Sequence, residues 1–507
     1  RTRLPRSCTS MGAKRPLVHE SPIAWKIPSN YKTVPNTRDA PSTRPKSGAK
    51  DQPSPSAPAT ADLPTLGGHE RNEDGSLTGF VFGSKIYRDG ESIVTSAVVQ
   101  ALDDQVVTES GSRYLLGVAA PQLPAPPSGP TTIAVVGSGD CGQLGFGPDL
   151  LEAEKPKRCP FFEGKRIVSI ACGGMHTAAV GVDGLVWTWG CNDDGALGRT
   201  GDEDVPQLAT GGALAAARVT AVTCGDSVSV ALLREGGVAS WGTYRDAGGL
   251  LGFSPAVDVQ REPLLLDKLP TVRLVVCGAN HTLAVTMRGT LYAWGCAEQA
   301  VLGCRLGAAR PKAKLLPTHP LALRRGRASL PVVSAAAGAY HSLALTADGE
   351  VWAWGLNNHG QLGCGGFASA SAPHAVAALR GLRVEQLDAG EHHSLARTAA
   401  GEVYGWGRAD SSQLGLGSGA EATVARDIPV RVPGVSDVRS IACGSNHCCA
   451  VTAEADLFTW GFGEMSQLGH GEADDEPSPR LVSAVRGRVA QAGAGGQHTV
   501  MLLKPKE

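Results

Sequence analysis

From about residue 131 onward the chain is a succession of short apolar–polar alternations bounded by glycine. One phrase is an apolar strand closing on Trp-Gly, followed by a turn that ends in Leu-Gly. It reads VWTWGCNDDGALG at 186–198, VASWGTYRDAGGLLG at 238–252, LYAWGCAEQAVLG at 291–303, VWAWGLNNHGQLG at 351–363, VYGWGRADSSQLG at 403–415 and LFTWGFGEMSQLG at 457–469. A seventh copy, IAVVGSGDCGQLG at 133–145, carries Val136 in place of the tryptophan. Counted on the glycine after that position, the steps are 53, 52, 53, 60, 52 and 54 residues. Between the copies lies a second phrase, an apolar strand, then Gly-x-x-His, then another apolar strand. IVSIACGGMHTAAV (167–180), VVCGANHTLAV (275–285) and IACGSNHCCAV (441–451) are examples.

Period-two alternation bounded by glycine predicts strands and not helices. Each repeat holds about four antiparallel strands, too few to bury both faces alone, and radial packing of such sheets makes a propeller with one blade per repeat. The ends of the region supply the closure. The first Leu-Gly copy has no Gly-x-x-His strand before it, and the last such strand, AGGQHTVMLL (494–503), has no Trp-Gly copy after it. Joining the two predicts an all-β fold, a seven-bladed β-propeller over 131–507 closed by pairing of its N- and C-terminal strands.

The recurring histidines (His176, His281, His341, His393, His447, His498) are read as structural, each tying adjacent turns, because buried polar groups need partners. The tryptophans are read as packing between blades. Val228 stands where the second repeat needs its histidine.

The segment ahead of the repeats divides into an expected disordered basic tail (1–65), a small β module (66–120) and a linker (121–130). In the module, GFVFGSKIYRDGESIVTSAVV predicts two strands joined at Arg88-Asp89-Gly90, since Asp-Gly favours tight hairpins. VVTESGSRYLLGV (106–118) predicts another hairpin. Residues 1–50 hold 11 lysines and arginines against Glu20 and Asp39, a surplus of nine, whereas the whole chain has net charge −1. Such an arm on an acidic body suits a polyanion, and Lys14-Arg15-Pro16 has the look of a short nuclear-import signal. Met11 is a candidate start.

Glycine, 65 residues in 507, is about twice its usual share, as many tight turns require. No run of 18 apolar residues is present, so no membrane-spanning helix is expected. The basic start lacks an apolar segment, which points to an intracellular protein without a secretory signal. The 13 cysteines include no Cys-x-x-Cys pair and are expected to be free thiols. Cys172, Cys277 and Cys443 each precede a repeat histidine by four residues, but zinc wants four clustered ligands, so no metal and no cofactor are expected. Gly164-Lys165-Arg166 lacks the spacing of a phosphate-binding loop.

These phrases resemble the regulator of chromosome condensation family, whose type member is the chromatin-bound exchange factor for the small GTPase Ran. GGMHT (173–177), GCNDDGALGR (190–199), WGTYRDAGGLLG (241–252) and AGGQHTVMLLKPKE (494–507) carry the resemblance most specifically. WGTYRDAGGLLG is stretched by two residues, and the resemblance implies a β-wedge there, Tyr244-Arg245-Asp246-Ala247-Gly248-Gly249, that presses on the GTPase. It also implies a GTPase-facing role for Asp140, Asp226, Asn280 and His392. Asp226 sits where most copies have a small residue, His392 is surplus beside His393, and Asn280 departs from the family's usual aspartate. The 60-residue step includes seven basic residues and no acid between 305 and 327, a candidate basic loop for the histone dimer's acidic patch, with Arg305 and Arg310 as docking candidates. Together with Lys14 and Arg15 in the tail, which neutralise DNA phosphates in this reading, it implies salt-sensitive nucleosome binding. The string Thr108-x-Ser110-Gly111-x-x-Tyr114-x-Leu116-Gly117 resembles the SANTA module of chromatin proteins. The expectation is a non-enzymatic exchange factor, nuclear, chromatin-bound and monomeric in its propeller; the competing reading is a chromatin-associated scaffold without exchange activity.

Overall fold

The computed structural model describes residues 129–304 and 311–504 and, ahead of them, six strands between residues 65 and 116. From Thr132 to Lys504 the chain forms seven four-stranded antiparallel sheets. Blades 1 to 6 begin at Ile167–Cys172, Val219–Cys224, Val272–Cys277, Val332–Ala337, Val384–Ala389 and Val438–Cys443. Blade 7 is assembled from both ends of the region, in the order Arg488–Ala494, His498–Lys504, Thr132–Ser138, Glu152–Arg158. His498 pairs with Gly137 and Leu503 with Thr132, which closes the ring as the sequence predicts. The first strands of successive blades touch around the axis, and that of blade 7 meets that of blade 1.

The core lies between neighbouring sheets. Between blades 7 and 1, for example, Ile133, Phe162, Ile170, Trp189, Val500 and Leu502 form one cluster. All six Trp-Gly tryptophans are buried, and five of their indole N–H groups donate to a carbonyl in the preceding repeat: Trp189 to Gln143, Trp241 to Ala196, Trp354 to Val301, Trp406 to Gln361 and Trp460 to Gln413, at 2.7–3.0 Å.

The same carbonyls explain the histidines. His176 Nε2 meets Ser229 Oγ at 2.9 Å, and that hydroxyl donates to the Ala196 carbonyl at 2.8 Å. His341 meets Ser394 at 2.7 Å, and Ser394 donates to the Gln361 carbonyl. His281, His447 and His498 reach Ser342, Thr499 and Thr177 in the same way, and His393 reaches the Cys448 sulfur at 3.1 Å. A hydroxyl has one proton; having given it to the carbonyl, it accepts from the imidazole. The rings at the hydroxyl ties are therefore neutral Nε2–H tautomers. Their close approach to backbone fixes the glycine of the motif: a Cβ at Gly278 would lie 2.3 Å from the His281 ring.

Val228 leaves one tie without its histidine, and Tyr244 takes its place. Tyr244 is fully buried, its phenol 3.2 Å from Thr282 Oγ1 and hydrogen-bonded to the Trp294 indole. It stands where both the imidazole and the turn carbonyl stand in other blades.

The six earlier strands form one sheet in the order 91–94, 77–82, 65–71, 113–116, 105–108, 98–102. Strands 105–108 and 113–116 pair as a hairpin, as predicted. Strands 77–82 and 91–94 also pair antiparallel, with Val81 opposite Glu91; the junction predicted at Arg88-Asp89-Gly90 lies outside the described residues. The parallel pairing of 65–66 with 115–116 is a feature sequence reading did not anticipate.

Burial pushes His176 down to about 4 and His281 and His498 to about 3, and pushes His341 well below its ordinary value. An unfolded histidine titrates near 6.5. Below that the unfolded chain takes up protons that the folded chain refuses, so the ties contribute fully above pH 6.5 and are progressively lost toward pH 3–4. Thermal melts from pH 7.5 to 4.5 should show a steep fall in Tm beginning below about 6.5; a flat profile would mean that the ties are not held neutral.

Candidate functional site

The Gly-x-x-His loops and the turns after Trp-Gly open at the same end of the ring, where they line a cavity of about 1230 Å³. Glycine approach makes the packing possible: a Cβ on Gly174 would lie 2.3 Å from Asp226 Oδ1. The cavity gathers Asp140, Asp226, Arg245, Asp246, Ala247, Asn280 and His392, seven positions that the sequence singles out, drawn from blades 7, 2, 3 and 5. It also gathers Asp193, Asp194, Glu298 and Tyr340, which sequence reading missed. Among the lining residues six carboxylates face the single guanidinium of Arg245, so the funnel is strongly acidic and its potential is focused by the surrounding walls.

An extra hairpin stands at the rim. Strands Tyr244–Asp246 and Gly249–Gly252 pair antiparallel outside the blade-2 sheet, with a register irregularity between Tyr244 and Arg245. That irregularity separates inward-facing Tyr244 from half-exposed Arg245. The side chain of Tyr244, expected on a partner-facing wedge, therefore lies in the core and anchors the hairpin's base. Gly248 and Gly249 form the tip beyond Ala247 and stand off the cavity wall; Gly249 has φ +112, which favours glycine, and nothing lies within 4 Å of where a Cβ would stand.

The hairpin is held from three sides. Asn280 Oδ1 accepts the Arg245 backbone N–H at 2.8 Å, and Glu298 Oε2 accepts that of Ala247 at 3.0 Å. Arg245 binds Asp194 at 2.6 Å, and Asp194 also takes the Ser227 hydroxyl at 2.8 Å. Asn280 thus does a positioning job that a carboxylate oxygen at the same place performs equally well. Behind the hairpin, Leu315 packs into the cluster of Tyr244, Leu251, Phe253 and Cys296, and Lys312 pairs with Asp258 at 3.3 Å. The long insertion, read from sequence as a basic loop, therefore also buttresses the hairpin. Of its other cations, Arg325 is taken up by Asp348 and Glu350 at 2.6 and 2.7 Å, whereas Arg324 and Arg327 are exposed. Arg305, Arg310, Lys14 and Arg15 lie outside the described residues.

His392 stacks on Tyr340, ring centroids 5.1 Å apart, and its Nδ1 accepts from Gln361 Nε2 at 3.2 Å. Burial, reinforced by His359 and Arg408, pulls it down to about 3, so it is a neutral donor through Nε2 at physiological pH and adds no positive charge to the funnel.

Fold and site together define a seven-bladed propeller of the repeat class, distinguished by an acidic axial funnel with an inserted hairpin at its rim. Residues 132–501 match the family model described as the RCC1-like domain. The regulator of chromosome condensation of Homo sapiens is 34% identical over 391 residues, covering 75% of this chain and 92% of that protein. The guanine nucleotide exchange factor SRM1 of Saccharomyces cerevisiae is 31% identical over 430 residues, covering 73% and 87%. Among solved structures, that of Prp20p from Saccharomyces cerevisiae, reported with its binding properties to Gsp1p and histones, superposes with a TM-score of 0.69 at 30% identity, covering 75% of this chain and 93% of that one. The chain belongs to the regulator of chromosome condensation family.

Removing the Asn280 acceptor should loosen the hairpin without opening the ring. In Asn280→Ala the Arg245 amide should exchange with solvent at least about tenfold faster, equivalent to roughly 1.4 kcal/mol of lost local protection. Asn280→Asp should retain the protection, and equal exchange in all three proteins would remove Asn280 as the anchor.

Proposed function

We propose that this protein is a guanine-nucleotide exchange factor for the small GTPase Ran, acting from chromatin, with the hairpin 244–252 as the wedge. The observation that carries this reading is the hairpin itself: an extra strand pair outside the blade-2 sheet, fastened at the rim of the acidic funnel by Asn280, Glu298 and the Asp194–Arg245 pair. Its relatives include a protein named as an exchange factor and one whose described partners are Gsp1p and histones.

The chemistry needed is modest. An exchange factor makes and breaks no covalent bond; it binds the empty GTPase more tightly than the loaded one, and by linkage weakens the nucleotide to the same degree. A funnel with a large surplus of carboxylates attracts basic side chains of the GTPase and accelerates encounter. The same carboxylates disfavour nucleotide phosphates nearby, so part of the discrimination between empty and loaded GTPase is electrostatic. Asp140 and Asp226 sit on the funnel wall to supply this, His392 offers a neutral hydrogen bond, and Arg245, Asp246, Ala247, Gly248 and Gly249 present the wedge. Asp194 and Glu298 hold it in place.

Val228, a departure from the repeat, and Asn280, a departure from the family's usual aspartate, favour a scaffold at first sight. Both have structural accounts that keep the wedge: Val228 is offset by Tyr244, and Asn280 holds the hairpin through the oxygen an aspartate would use. For chromatin, the positive surplus of residues 1–50, Lys14 and Arg15 included, supports a tail that neutralises DNA phosphates. The basic insertion, with Arg305 and Arg310, supports a second contact on the histone acidic patch, and the assembly would place the protein in the nucleus.

Catalytic amounts of this protein should accelerate release of fluorescent GDP from purified Ran. Asp226→Ala should cut kcat/KM by about tenfold or more, about 1.4 kcal/mol of transition-state stabilisation, with an unchanged Tm. No acceleration by a folded wild-type protein would sink the exchange reading in favour of the scaffold. Separately, deleting residues 1–60 should weaken nucleosome binding and flatten its salt dependence while leaving exchange in solution intact; equal loss of both would mean that the tail is not a tether.

A further inference from the structure

The tie between blades 5 and 6 differs chemically from the others. Elsewhere the imidazole meets a hydroxyl, whereas His393 Nε2 meets the Cys448 sulfur at 3.1 Å. Directly across the blade-6 hairpin from Cys448 stands Cys443. Gly444 N–H bonds the His447 carbonyl, which makes the adjacent Cys443–Cys448 pair a non-hydrogen-bonded one, the arrangement that brings side chains closest. In blades 4 and 5 the same two places hold Ala337 with Ser342 and Ala389 with Ser394. Only in blade 6, among the described blades, are both thiols.

The imidazole nitrogen and the two sulfurs lie within 4.8 Å of one another, and all three residues are buried. The sequence conceals this: the Cys-x-x-x-His pairs along the chain do not form the cluster, because the histidine comes from the preceding blade. We propose that His393, Cys443 and Cys448 form a closed structural site for one thiophilic d10 cation, zinc or cuprous copper, joining blade 5 to blade 6. Two sulfurs and one imidazole are the soft donor set such ions select. The Gln413 carbonyl, 3.3 Å from the Cys448 sulfur, is an oxygen donor beside them. Binding converts two thiols to thiolates and releases two protons, leaving the imidazole neutral. With a divalent ion the completed site is uncharged. With a monovalent ion it keeps one buried negative charge close to the buried Asp388 carboxylate, whose Oδ2 accepts the Cys443 N–H at 2.7 Å, so charge favours zinc. A buried site of this kind fills as the two blades dock, so its binding energy is folding energy.

The test is elemental analysis of the full chain refolded in the presence of zinc or cuprous ion, beside the double variant C443A/C448S. That variant copies the Ala–Ser pair of blades 4 and 5, so it retains a hydroxyl for His393 and should fold. The wild-type protein should hold one equivalent of metal per chain, the element taken up distinguishing the two ions, and the variant none. Refolding in chelator should lower the wild-type Tm by several degrees and leave the variant's unchanged. A folded wild-type protein without stoichiometric metal would overturn the proposal. So would equal metal in the variant, which would mean adventitious binding, or a Cys443–Cys448 disulfide found in its place.

Discussion

A donor–acceptor chain that crosses most of the blade junctions governs this molecule: imidazole to hydroxyl, hydroxyl to turn carbonyl, with the neighbouring indole on the same oxygen. In a radial assembly the sheets meet through apolar faces, and apolar burial by itself has no preferred register. The polar chain supplies one, because a buried donor displaced from its acceptor costs about 1–3 kcal/mol. Much else follows from it. The glycine before each histidine is small because the ring lies against it, the histidine is neutral because it is buried, and the Leu-Gly turns are held at a fixed height. Those turns, with the Gly-x-x-His loops, are the wall of the funnel.

The hairpin 244–252 illustrates what happens when the register is kept but the local sequence changes. Stretching one turn by two residues removes a carbonyl acceptor from the blade 2–3 junction, and Val228 removes an imidazole from the same junction. One phenol, Tyr244, answers both losses. Its position at the first residue of the inserted hairpin means that the structural repair and the protrusion at the rim are a single element. The hairpin is therefore rooted in the core, by Tyr244 within and Leu315 behind, while its tip remains in solvent.

The architecture was largely legible in the sequence, because a period of 52 to 60 residues repeated over seven copies has few physical solutions. Asp140, Asp226 and His392 were legible for a related reason: each breaks the repeat at a place the scaffold does not need. Asp193, Asp194 and Glu298 were not, because acids and amides are ordinary in those turns and only the folded ring shows that they converge. The inward course of Tyr244 was hidden by an irregular register, since one displaced residue reverses which face a strand presents. Leu315 was hidden inside a stretch whose charges draw attention away from its apolar residues. The clustering of His393 with Cys443 and Cys448 was invisible for a simpler reason, as its members are separated by a blade boundary.

The closing blade has a consequence for how the molecule is made. Its third strand, Thr132–Ser138, leaves the ribosome first among the propeller strands, and its partner, His498–Lys504, leaves last. At about 5–20 residues per second, that strand waits roughly twenty seconds to a minute with an open hydrogen-bonding edge. Six blades stand meanwhile as an unclosed arc, exposing the apolar faces that blade 7 will cover. A chain cut short before His498–Lys504 never seals this gap, so truncation here does not subtract a blade; it leaves a sticky, unlatched ring for chaperones and proteases to find.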